Sequence, residues 1–154
     1  MSINKIFCVL SFLGSANASA LSIDHCPTPD IIKKHQGVYF APTVSRQGQW
    51  IGMVSDPGQA DEFAADDYAI TFEGAVFVAT ERNGTNKGLL LRCMYINEDG
   101  EKLDLYYRPE VRPQMAVQLL DRSNWKKQKT SVSGLTTYLC TNPQKGGCVF
   151  AEVE

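Results

Sequence analysis

Leu89–Ile96 (LLLRCMYI), Asn97-Glu98-Asp99-Gly100 and Lys102–Tyr107 (KLDLYY) decide the fold. Two β-prone runs flank four residues rich in turn formers, the signature of a hairpin. On the second arm the period is two. Leu103, Leu105 and Tyr107 fall on one face and Lys102, Asp104 and Tyr106 on the other, so the first set is expected to meet the core and the second to meet water.

The same texture extends outward in both directions. Val38–Phe40, Gln49–Val54, Tyr68–Phe72 and Ala75–Thr80 precede the hairpin as short strands, with Asp56-Pro57-Gly58 and Asn83-Gly84 as turns. Pro109 and Pro113 then bracket a connection. After it, Ala116–Leu120 and Thr136–Cys140 read as strands, and Cys148–Val153 as the second arm of a terminal hairpin. Only Thr28-Pro29-Asp30, a capping hydroxyl followed by proline, starts a helix, which Gly37 would end after Gln36. About eight strands with no alternating long helices predict a mainly β protein, a small antiparallel β-sandwich or barrel with one short N-terminal helix.

The 154 residues contain 44% hydrophobic and 21% charged side chains, an ordinary globular composition. Fifteen Lys and Arg against seventeen Asp and Glu supply no general field for nucleic acid. Residues 1–20 (MSINKIFCVLSFLGSANASA) combine Lys5, an apolar run Ile6–Leu13 and a small-residue end with an Ala-x-Ala site, and read as a secretory signal peptide cut after Ala20. The run is too short to cross a bilayer, which takes about 20 apolar residues. A single β-rich domain over residues 21–154, periplasmic or secreted and without a transmembrane segment after cleavage, is therefore expected.

Cys8 leaves with the signal, and Cys26, Cys93, Cys140 and Cys148 remain. An even count in an oxidising compartment predicts two disulfides. Of three pairings, spacing favours Cys140–Cys148, which brackets a Pro- and Gly-containing turn, and hence Cys26–Cys93. The cysteines lack the paired Cys-x-x-Cys knuckles of a zinc site, so neither metal nor cofactor is expected.

No catalytic constellation is legible. His25 and His35 stand outside any nucleophile motif, and His35 reads as a cation at a helix C-terminus. Asp61, Glu62, Asp66 and Asp67 could supply a glycosidase pair, although a solvated acidic turn is the simpler reading. Trp125-Lys126-Lys127 places an aromatic beside a basic patch, which suits either an anionic polymer or an edge strand guarded by lysines. Tyr39 and Trp50 could form a sugar platform, and Trp50 with Tyr95 an apolar pocket, whereas aromatics in β-proteins usually fill the core. Asn83-Gly84-Thr85 is a glycosylation sequon.

Cys26-Pro27, Gly37-x-Tyr39, Trp50-x-Gly52, Cys93-x-Tyr95 and Cys148-x-Phe150 in this order resemble an uncharacterised family of small exported bacterial proteins, a domain of unknown function. The resemblance spans nearly all of the chain after the signal. It implies a bacterial envelope or secreted location and brings no catalytic residue. The expected activity is non-enzymatic binding of another envelope or secreted protein, as a component or substrate of a secretion apparatus, with Tyr39, Trp50, Tyr95, Trp125, Lys126 and Lys127 as candidate contacts. A periplasmic inhibitor or immunity protein is one alternative. A small carbohydrate-active hydrolase or a glycan- or lipid-binding module is the other.

Overall fold

The computed structural model describes residues 22–46, 48–54, 70–80, 87–109, 116–129 and 134–153. Residues 1–20, read as a signal peptide, the acidic run 61–67, residues 56–58, expected to turn, and the sequon 83–85 lie outside the described residues.

Eleven strands occur among the described residues: β1 Ile23–His25, β2 Lys33–His35, β3 Val38–Pro42, β4 Gly48–Val54, β5 Ile70–Ala79, β6 Lys87–Asn97, β7 Lys102–Pro109, β8 Val117–Leu119, β9 Trp125–Lys127, β10 Thr137–Cys140 and β11 Val149–Glu152. All their pairings are antiparallel. The mainly β antiparallel fold thus follows from the short alternating runs in the sequence.

The quoted hairpin is the trunk of the sheet. Gly100, at φ +79°, donates its N–H to the Asn97 carbonyl across the turn. The Asn97 side chain holds Glu101 from both ends, accepting the Glu101 N–H and donating to its carboxylate. As the alternation requires, Leu103 and Leu105 are buried and Lys102 and Tyr106 exposed, with Tyr107 half-buried.

One edge of β6 is covered by β5 from Ile70 to Ala79. The other edge is shared: β7 pairs with Cys93–Ile96, and β8 with Lys87 and Gly88. The sheet therefore forks at β6 into one branch, β7-β4-β3-β2, and another, β8-β11-β1, while β5 continues to β10 and β9. The described parts of the two runs read as separate strands over 68–72 and 75–80 belong to one strand, Ile70–Ala79. The interruption around Glu73-Gly74 is a bulge, and a second irregularity at Leu91 of β6, which falls between the partners of Val76 and Phe77, restores the register. Each such extra residue sharpens local twist, which helps a sheet of this width to curl.

Paired residues in an antiparallel ladder share a face. One row, Trp125–Cys140–Ala75–Cys93–Leu105–Gly52–Tyr39, crosses seven strands and is buried throughout. The two branches close over this inner face. Trp50 of β4 and Tyr107 of β7 meet Phe150 of β11, with ring centroids 6.1 Å and 5.2 Å away, and Trp50 and Tyr107 lie 5.0 Å from each other.

Both disulfides form with the pairing expected from spacing, Cys26–Cys93 and Cys140–Cys148, each with Cα atoms 5.8 Å apart. Cys26–Cys93 ties the end of β1 to the trunk.

Two expectations need correction. The N-terminal helix is a single 3-10 turn, Pro29–Ile31, after which the chain enters β2. Gly37 is a hairpin residue and not a helix stop: Gln36 (φ 49°) and Gly37 (φ 78°) both lie at positive φ, the two-residue turn that matches strand twist, so His35 pairs with Val38. The terminal hairpin is also absent. Although Cys140 and Cys148 are bonded, β10 pairs with β5 and β9, whereas β11 pairs with β8 and β1.

Candidate functional site

Four of the aromatic candidates belong to the core. Trp50 is 0% exposed, Tyr39 and Tyr95 1%, and Trp125 5%. Tyr39 and Trp50 therefore present no ring face to a sugar. The Tyr95 hydroxyl donates to the Pro27 carbonyl at 2.7 Å, fixing the chain beside Cys26, and burial pushes its pKa well above the usual phenol value. Trp125 packs edge-on against Phe77 at 6.2 Å. Lys126 and Lys127 are exposed on β9, which pairs with β10 alone among the described strands. That placement fits lysines guarding a short edge.

A shallow cleft of about 10 Å³ opens beside Cys26, Pro27, Phe72, Asn142 and Cys148. That is about the space one water molecule needs, far below the roughly 300–1,000 Å³ of ordinary small-molecule pockets.

The titratable groups near the fork serve structure. Asp24 of β1 is 1% exposed, and its carboxylate accepts the N–H of His25 at 2.7 Å and of Val44 at 3.0 Å. The Val44 bond pins the β3–β4 turn to β1. Burial nevertheless raises its pKa above the ordinary carboxylate value, since desolvation outweighs the two backbone bonds. The Tyr107 hydroxyl donates to Glu152, joining the two branches, and burial and that bond both raise its pKa. His25 bonds through Nδ1 to the Cys26 carbonyl at 2.8 Å, and His35 ends β2 beside its hairpin turn. Among the described residues no group of three or more His, Cys, Asp or Glu could hold a metal ion.

The unusual feature lies on the opposite side of the sheet. Register aligns Lys33, Phe40, Ile51 and Tyr106 in one outward row across β2, β3, β4 and β7. The next row is His35, Val38, Met53, Asp104 and Met94, and on the other side stands Pro42, Gln49 and Arg108. Met53 is 66% exposed, Tyr106 42% and Phe40 37%, with half-buried Val38 and Ile51 between them. Single exposed apolar residues are normal, whereas a contiguous set across three strands is the kind of surface that docking sites use.

None of these face residues was among the aromatic and lysine candidates read from sequence. Tyr106 carried a signal, because the alternation of β7 sends it outward. In β3 and β4 both faces are apolar, so sequence does not say that Tyr39 and Trp50 point in while Phe40 and Met53 point out.

Among known proteins, the model of a family described as "Protein of unknown function (DUF3757)" matches residues 18–151. No curated protein and no solved structure matches the chain.

Proposed function

Since the chain belongs to the DUF3757 family of proteins of unknown function, we propose that its work is binding: a non-enzymatic exported protein that holds another envelope or secreted protein on the outer face of its sheet. One observation carries this reading, the contiguous exposure of Phe40, Met53 and Tyr106 around Ile51. Keeping such a face in water is unfavourable by roughly 25 cal/mol per Å² of apolar surface, and a partner relieves it. Asp24, Tyr107, Glu152 and His25 occupy packing and hydrogen-bonding roles, which agrees with a binding protein.

Location in the periplasm or outside the cell is part of the proposal. Two disulfides suit an oxidising compartment. Among the described residues no helix is long and apolar enough to cross a membrane.

The test is cross-linking and affinity capture from the envelope and medium fractions, with wild type and a Met53→Lys/Tyr106→Lys variant side by side. Both sites are exposed, so the variant should unfold within about 0.5 kcal/mol per substitution of wild type. The expected result is a stoichiometric partner that the variant loses. Equal capture by both proteins would reject this face, and turnover of a glycan or peptide substrate abolished by one side-chain change would reject the binding role.

A further inference from the structure

Resting on the binding reading above, we infer that the partner is a protein surface bearing carboxylates on either side of apolar side chains. The cations of the face define it. Lys33 ends the row that runs through Phe40 and Ile51 to Tyr106, and Arg108 stands one row further along β7 from Tyr106. Both are exposed, and neither has a carboxylate within ion-pairing distance among the described residues. Asp104 is the single carboxylate in the three rows, and Arg92 Nε lies 3.4 Å from it, so its charge is already met. What the face offers a partner is therefore apolar surface between two positive charges.

Strand spacing gives the scale. Lys33 and Arg108 sit three strands and one row apart, about 16 Å at ~4.8 Å per strand and ~7 Å per two residues. A complementary surface places two Asp or Glu side chains about that far apart with apolar groups between them.

Two other occupants fit less well. A second copy docking by two-fold symmetry would set the Lys33 and Arg108 ends against one another, a like-charge contact that disfavours self-association. A membrane surface calls for apolar groups that reach about 5–10 Å into the lipid boundary. Here Ile51 is half-buried in a sheet face between Phe40 and Tyr106, which forms a platform and not a projection.

A displayed library of random twelve-residue segments, panned on the disulfide-bonded protein, tests the inference without a known partner. The expected outcome is retained segments enriched in Asp, Glu and apolar residues over the unselected pool. Their binding should fall at least tenfold with Lys33→Glu/Arg108→Glu, weaken as salt rises, and vanish with Met53→Lys/Tyr106→Lys. Segments that depend on Met53 and Tyr106 but show no acidic enrichment, or ignore the charge reversal, would overturn the acidic partner and leave the face standing. Segments indifferent to Met53 and Tyr106, or none retained, would overturn both. Sedimentation of the wild type as a dimer lost in the Met53→Lys/Tyr106→Lys variant would assign the face to a second copy. Flotation with phosphatidylglycerol vesicles, lost in the same variant, would assign it to lipid.

Discussion

Gly52 shows what a single residue contributes here. It lies in the buried row between Leu105 and Tyr39, where a Cβ would stand 2.0 Å from the Asp104 carbonyl oxygen and 2.8 Å from Leu105 Cδ2. The first of these is backbone and cannot turn aside, so β4 and β7 would have to separate. Gly52→Ala is expected to cost about 3 kcal/mol or more, at the upper end of overpacking effects. Gly37 provides the contrast: its φ of +78° penalises a side chain, but nothing lies within 4 Å of a Cβ there. Gly37→Ala should cost only about 1 kcal/mol, from backbone conformation alone. Urea unfolding of the two variants checks the order, and equal losses would refute the close-approach explanation. Trp50-x-Gly52 stands out in the sequence, but its reason does not. Sequence shows a glycine among strand formers, while the carbonyl it must accommodate belongs to a strand more than fifty positions away.

At the scale of elements, legibility followed the range of the interactions. The hairpin of β6 and β7 is local, and its alternation and turn residues reveal it directly. The β2–β3 hairpin is local too, yet Gly37 signals a helix end and a two-residue turn equally well, and three residues of strand are too few to show a period. Cys148–Val153 reads correctly as a strand, but its partners β1 and β8 lie far off in sequence, and so the nearer β10 is the natural wrong choice. The disulfides bear on the same distinction. Cys26–Cys93 spans 67 positions and Cys140–Cys148 only 8. In the loop-entropy model the first contributes about 4 kcal/mol and the second about 2.5 kcal/mol. The Cys26→Ala/Cys93→Ala variant should therefore have the lower urea midpoint, by a margin exceeding that of Cys140→Ala/Cys148→Ala. The reverse order would show that the short loop, which brings β10 to the start of β11, matters more than the long-range tie.

For the whole molecule, the fork at β6 determines which parts can open independently. β6 is paired on both edges, to β5 along one and to β7 and β8 along the other, and Cys93 in its middle carries the tie to Cys26. Opening β6 separates both branches at once and exposes the ring cluster of Trp50, Tyr107 and Phe150. β2 and β9, by contrast, are three-residue strands with one described neighbour each, and losing either leaves that cluster intact. Backbone amides bonded within β5 and β6 around Ala75 and Cys93 should exchange only through global unfolding, and those of β2 and β9 through local opening. Hydrogen exchange against denaturant separates the two, because local opening is nearly insensitive to urea and global unfolding is not. Reducing the disulfides should then speed exchange in β1, which loses its tie to the trunk. If β1 kept its protection after reduction, its pairing with β11 and the Asp24–Val44 bond would be sufficient to hold that branch. The proposed binding face spans both regimes: Met94 is on the trunk and Lys33 on the labile edge. A partner gripping both ends would slow exchange in β2 far more than in β6, since only the edge has local opening left to suppress.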